Sequence, residues 1–303
     1  VSFSVTVLGS GSAVPTSRRA LTSQFVECRS RYILIDCGEG TQMQMRKFGI
    51  KFQRIEHVLI SHLHGDHYFG LVGLLSTMHL MGRTKAISIY GPQGLKEIVE
   101  MQLNYEGARL AFEINFFNVP ANESGLLFED AKISIEHFPL KHRIPTSGFL
   151  IREKEKDRHL NSERAARDGV KIEYFHRLKK GEDVYDEEGN LIKANDYTTP
   201  ADKSKAYAFC SDTKYEEAVA PFIMGVDLLY HEATFLEEHK DRAKATLHST
   251  AKEAASIAKM ASAGKLLMGH LSARYDSVEK HIEEAQTVFS NCEVAEDGNT
   301  YVV

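Results

Sequence analysis

The sequence predicts an α/β protein, on three observations. Short apolar runs of strand length alternate with segments at helical spacing through most of the chain. Many of these runs end at glycine-rich, acidic or histidine-bearing turns. No repeat of fixed period and no low-complexity tract interrupts the pattern, which reads as helices laid on sheets. With 303 residues, 43% of them hydrophobic, the chain has ample material for a large buried core.

Taken in order, Val5–Leu8 and Tyr32–Ile35 read as strands running into Gly-rich or acidic turns. Val58–Ile60 is a further short strand, ending at a histidine cluster. Tyr68–Leu80 then carries Leu71, Leu74, Leu75 and Met78 at helical spacing. Ile87–Tyr90 is a strand and Gly94–Leu103 a helix; strands are expected at 112–119, 126–128, 131–138 and 147–151. From Arg152 to Lys205 the chain is dense in both charge signs and poor in aliphatic residues, which fits a solvated insertion or an arm that holds a partner. Ordered patterning returns with a strand at Ala206–Cys210, a helix at Tyr215–Ala220 and a strand at Val226–Tyr230. Ser249 is read as the cap of a helix reaching Ala261. Leu266–Met268, the helix Val278–Phe289 and the strand Thr300–Val303 complete the chain. The expectation is one domain over residues 1–303, with residues 153–200 inserted as an arm.

The formal charge of −5 gives no global pull toward polyanions, so any nucleic-acid contact must use a local basic surface. Cys28, Cys37, Cys210 and Cys292 are scattered, form no C-x-x-C pair and suit a reducing compartment. No apolar run approaches the roughly 18 to 20 residues of a membrane-spanning helix, and Val1–Leu8 lacks the layout of a signal peptide. A cytoplasmic location without membrane attachment is expected.

His62, His64, Asp66 and His67 fall within six residues directly after a strand. A lone histidine at a strand end is usually a satisfied polar residue. Four potential ligands in so short a window instead point to a metal, and imidazole with carboxylate suits zinc. One tetrahedral ion takes at most four ligands, and neighbours such as Asp66 and His67 rarely share an ion with His62 and His64. Two ions, each served by half of the motif, are the natural solution, with further ligands drawn from elsewhere.

The H-x-H-x-D-H pattern resembles the hallmark of the metallo-β-lactamase superfamily. That resemblance implies an αββα sandwich with a dinuclear centre at one edge of two facing sheets. It implies His62, His64, His142 and Asp212 on one zinc, and Asp66, His67, Asp212 and His270 on the other, Asp212 bridging. The last three ligands, His142, Asp212 and His270, each follow an expected strand end.

Further segments narrow the resemblance. Leu8–Thr16, Asp36–Thr41, Ser61–His67, His142–Phe149, Ser211–Thr213, His231–Thr234, His248–Thr250 and Gly269–Tyr275 resemble, in order and over nearly the whole chain, the ribonuclease Z family of tRNA 3′-processing endonucleases. The resemblance implies cleavage of the 3′ trailer from precursor tRNA, with two zinc ions per subunit of a homodimer. Metal binding lowers the pKa of water toward roughly 7 and neutralises charge on the scissile phosphate. Asp66 is then the candidate proton acceptor, His248 the candidate acid oriented by Glu232, and Ser272 with Arg274 candidate phosphate contacts. The arm would grip tRNA, with Arg177, Lys179 and Lys180 as candidate contacts; residues 171–176 have no Gly-Pro pair where many family members carry one. The competing reading is a phosphodiesterase or esterase for small molecules on the same dinuclear site.

Overall fold

The structure, a computed structural model, describes residues 3–104 and 110–303. It divides into two compact units, Val1–Arg152 with Lys205–Val303, and Glu153–Ser204.

In the first unit, β1 (Phe3–Gly9), β2 (Ser23–Cys28), β3 (Arg31–Ile35), β4 (His57–Leu59), β5 (Ile87–Gly91) and β6 (Ile114–Asn118) form one sheet, joined at its edge by the C-terminal strand Thr300–Val302. Strands β1 to β3 pair antiparallel, and β3 to β6 pair parallel. Helices α1 (Thr41–Lys47), α2 (Gly65–Tyr68), α3 (Leu71–Leu80) and α4 (Leu95–Asn104) lie between these strands in sequence. The second sheet opens with β7 (Gly125–Glu129), β8 (Ile133–Leu140) and β9 (Thr146–Glu153).

The second unit holds two small strand pairs, β10 (His159–Leu160) with β13 (Thr198–Thr199) and β11 (Val184–Tyr185) with β12 (Leu191–Ile192). It also holds α5 (Ser162–Arg167), α6 (Phe175–Lys179) and α7 (Ala194–Tyr197). Ala165, Val170, Leu178, Val184 and Ala194 form a buried apolar cluster of their own, flanked by Tyr174, Phe175 and Tyr197. The charged composition therefore conceals a folded element.

Back in the first unit, β14 (Ala206–Cys210), β15 (Leu228–Glu232), β16 (Lys265–Gly269) and β17 (Cys292–Val294) run parallel and complete the second sheet. With them come α8 (Lys240–Thr246), α9 (Ala251–Met260) and α10 (Glu279–Gln286); the edge strand Thr300–Val302 is β18.

Three apolar clusters make the layers. One interleaves Val5, Val7, Ile33 and Ile35 of the first sheet with Ile133, Phe149, Tyr207 and Phe209 of the second. Another joins Leu34, Val58 and Ile89 to Met45, Leu74 and Val99 of the helices on the first sheet. The third joins Ala208, Leu229 and Leu266 to Ala254, Ala258 and Ala285 of those on the second. Helix, sheet, sheet, helix is the only order that buries both faces of both sheets.

Several local expectations are corrected. The helix read across Tyr68–Leu80 breaks at Phe69-Gly70 into α2 and α3. A side chain on Gly70 would strike the Gly38 carbonyl at 2.2 Å, so the chain passes there only as glycine. Thr250, not Ser249, caps α9: it accepts from Glu253 N, and Glu253 reaches back to Thr250 N. Ser249 donates instead to the Thr213 carbonyl. The segment expected as a helix at 215–220 is a 3-10 turn at Glu217–Ile223 containing Pro221.

Candidate metal centre

The motif leaves β4 at Leu59 and turns through α2, bringing alternate side chains to one edge of the sandwich. Gly38 N donates to Thr22 O, Cys37 N to His67 O and Gly70 N to Cys37 O, so the 36–38 segment is stitched against this turn. From the second sheet, His142 follows β8, Asp212 follows β14 and His270 follows β16.

Two ligand sets converge. In the first, His64 Nδ1 lies 3.1 Å from His62 Nε2 and 3.2 Å from His142 Nε2, and Asp212 Oδ2 lies 3.6 Å from both of those Nε2 atoms. In the second, His67 Nε2 and His270 Nε2 are 3.3 Å apart, each 3.5 Å from Asp66 Oδ2 and 3.3 and 3.2 Å from Asp212 Oδ1. Donor atoms of His62, His64, His142 and Asp212, and of Asp66, His67 and His270, lie close enough within each set to share an ion. Asp212 faces both.

These atoms fit metal ions for three reasons. The buried Asp212 Oδ1 has no hydrogen-bond partner, an arrangement that costs free energy unless a cation supplies one. The Nε2 atoms of His62 and His142 both crowd His64 Nδ1 at hydrogen-bond distance, and the single N–H of a neutral imidazole cannot serve both contacts well. Finally, four of the five rings have their Nδ1 engaged elsewhere: His62 on Ser61 Oγ at 3.0 Å, His67 on Asp36 Oδ2 at 2.7 Å, His142 on the Leu247 carbonyl at 2.9 Å and His270 on Thr234 Oγ1 at 3.0 Å. Such bonds point Nε2 inward.

Electrostatics agree. Burial holds His62, His64 and His142 below the ordinary histidine value, as neutral donors. For His67 burial also opposes charge, yet the carboxylates of Asp212 and Asp36 win and hold a proton that a metal ion would replace. Burial opposes ionisation of Asp66 as well, but His270 and His67 beside it keep it ionised. Ala13 N donates to Asp66 Oδ2 at 2.8 Å.

Beside the sets stands a second constellation. His248 Nδ1 donates to Glu232 Oε1 at 2.8 Å, and its Nε2 lies 4.0 Å from Asp212 Oδ2. Burial lowers the affinity of His248 for a proton, but the Glu232 carboxylate outweighs it and the value is pushed up to about 9. The cleft, about 490 Å³, is lined by His64, Asp66, His142, Asp212, His248 and His270, with Phe69 and Arg143 also on its wall.

Ribonuclease Z of Porphyromonas gingivalis is 44% identical over 287 residues, which cover 95% of this chain and 94% of its own. The chain belongs to the ribonuclease Z family. Ribonuclease Z of Cytophaga hutchinsonii is likewise 44% identical, over 99% of this chain and 96% of its own. The crystal structure of human tRNase Z, short form (ELAC1), superposes with a TM-score of 0.72 at 28% identity, covering 99% of both chains. The metallo-β-lactamase fold protein YhfI of Bacillus subtilis superposes at 0.69 with 21% identity, over 99% of this chain and 98% of its own, and shares the fold. Residues 3–163 also match the family model described as Anti-Pycsar protein Apyc1.

In this ribonuclease Z family member the remaining candidates are placed as follows. Ser272 and the exposed Arg274 follow His270; Arg274 Nε lies 3.2 Å from Ser272 Oγ and its guanidinium 5.1 Å from the Phe235 ring centre. Arg177 and Lys179 are on α6 and Lys180 caps it, in the second unit. Arg177 pairs with Glu182 at 3.0 Å, and Lys179 and Lys180 with Asp157 at 3.7 and 2.7 Å. Sequence reading missed Asp36 as a site residue. Its buried carboxylate accepts from Ser61 N at 2.8 Å, Ser61 Oγ at 2.9 Å and His67, bracing both ends of the histidine motif. The signal was an aspartate directly after β3, where the apolar run meets a glycine-bearing turn.

Proposed function

We propose that this chain is a zinc-dependent endoribonuclease that removes the 3′ trailer from precursor tRNA, leaving a tRNA 3′-hydroxyl and a trailer with a 5′-phosphate. The observation that carries the reading is the His248–Glu232 pair against the two ligand sets. Glu232 raises the proton affinity of His248 and leaves its Nε2 facing the sets, 4.0 Å from Asp212 Oδ2, a proton source that a metal site alone does not require and a departing alkoxide does. Full-length likeness to ribonuclease Z supports the substrate class.

The residues that would hold two ions are His62, His64, His142 and Asp212 for one, and Asp66, His67, Asp212 and His270 for the other. Bound there, the ions would supply a water of lowered pKa and neutralise charge on the phosphate. Ionised Asp66 would accept a hydrogen bond from the attacking water, orient it and take the proton that it loses. As the new P–O bond forms, the bond to the tRNA 3′ oxygen breaks, and that oxygen takes the proton from His248 Nε2. Glu232 holds the resulting imidazole in place. Ser272 and Arg274 would hold neighbouring phosphate oxygens, and Arg177, Lys179 and Lys180 would meet the tRNA from the inserted unit once released from their acidic partners.

We read the protein as homodimeric and cytoplasmic. The four cysteines, all buried and none in a disulfide, suit a reducing compartment, and among the described residues no helix is long and apolar enough to cross a membrane. The deciding experiment is cleavage of a 3′-extended pre-tRNA with both product ends mapped. A 3′-hydroxyl on the tRNA and a 5′-phosphate on the trailer are expected; a 3′-phosphate, or an intact pre-tRNA alongside active hydrolysis of small phosphodiesters, sinks the reading.

A further inference from the structure

Thr234 lies two residues past Glu232, just beyond the end of β15, and is buried. Its hydroxyl sits 2.6 Å from Glu232 Oε2 and 3.0 Å from His270 Nδ1. We propose that Thr234 is a positioning residue whose hydroxyl ties the Glu232–His248 pair to the second metal-ligand set by fixing the ring of His270.

The hydroxyl has one proton. A carboxylate oxygen at 2.6 Å is the strongest acceptor within reach; the His270 carbonyl, at 3.0 Å, is farther and uncharged. With the Thr234 proton donated to Glu232 Oε2, only lone pairs face His270 Nδ1, which must then carry its own hydrogen. His270 Nε2 is left unprotonated, directed between Asp66 Oδ2 at 3.5 Å and Asp212 Oδ1 at 3.2 Å. The other oxygen of Glu232 takes His248 Nδ1 at 2.8 Å and Thr213 N at 2.9 Å. One buried carboxylate thus orients two histidines of different duty, directly for His248 and through Thr234 for His270. A threonine kept only for packing would need no such set of partners, since valine fills nearly the same space.

The inference rests on the metal-centre reading, and the test separates the two. Zinc affinity of the full chain is measured by chelator competition for the wild type, Thr234→Val and Thr234→Ser, with thermal unfolding in EDTA recorded alongside. The wild type should bind two ions. Thr234→Val should hold one ion on the order of ten to a hundred-fold more weakly, and Thr234→Ser should stay within about three-fold of wild type. Should Thr234→Val fail to fold, Thr234→Ala supplies the hydroxyl-free comparison. Unchanged affinity in the hydroxyl-free variant, or equal losses in it and in Thr234→Ser, would overturn the role of the hydroxyl. A wild type that binds no ion would instead overturn the metal centre itself.

Discussion

At the scale of single residues, His248 and Asp212 divide the labour and should fail differently. His248→Ala removes the proposed proton donor, whose Nε2 lies 4.0 Å from Asp212 Oδ2, and its cleavage rate should fall about 10²- to 10⁴-fold while metal content, read by elemental analysis, stays at the wild-type level. Asp212→Ala removes the one carboxylate facing both sets, so both ions should be lost together. Parallel loss of metal in His248→Ala would reassign that histidine to ligation, a role its proximity to Asp212 and His270 permits. Four candidate ligands were legible because histidine and aspartate crowd into residues 62–67, an arrangement with few bland explanations, whereas His142, Asp212 and His270 came only with the family resemblance. Their orienters were not. Asp36 and Thr234 are ordinary residues far from the motif in sequence, and the Leu247 carbonyl that fixes His142 has no side-chain signature at all.

Among the elements, α9 and β4 offer tests independent of catalysis. Thr250→Ala removes the capping box of α9 and should cost about 1 kcal/mol, seen as a lowered unfolding midpoint of the metal-free protein. His57, buried on β4 with its ring 4.3 Å from that of Phe128, is held down to about 4, chiefly by burial. A group depressed in the folded state favours folding fully above its unfolded value near 6.5 and loses that contribution as pH falls toward 4, because the unfolded chain protonates first. His57→Leu should therefore lessen the drop in thermal stability between pH 7 and pH 5; an identical drop would show that another group carries it. Most strands of the first unit were readable as short apolar runs, whereas β2, β17, α1, α8 and the small elements of the inserted unit passed unmarked. In β2 the buried Gln24, which accepts from the Tyr207 hydroxyl, breaks the apolar pattern because its partner comes from the opposite sheet.

For the whole molecule, the alternation of strands and helices carried the α/β class, but which strands join which sheet depends on pairings such as β1 with β18 that no local pattern records. The inserted unit was visible as charge; its small core was not, since Ala165, Leu178 and Ala194 gather only on folding. Replacing residues 155–203 with a short Gly-Ser linker should abolish pre-tRNA cleavage and spare hydrolysis of a small phosphodiester such as bis(p-nitrophenyl) phosphate. Equal loss of both in a folded variant would deny the unit its part in holding tRNA. The ligand sets, finally, draw His62 to His67 from the first sheet and His142, Asp212 and His270 from the second. Read in the order of synthesis, the first set waits for Asp212, and the second closes only when His270 is made. Neither set is whole until strands of both sheets have been made, and of the strands only β17 and β18, one at an edge of each sheet, remain to be added once His270 is in place.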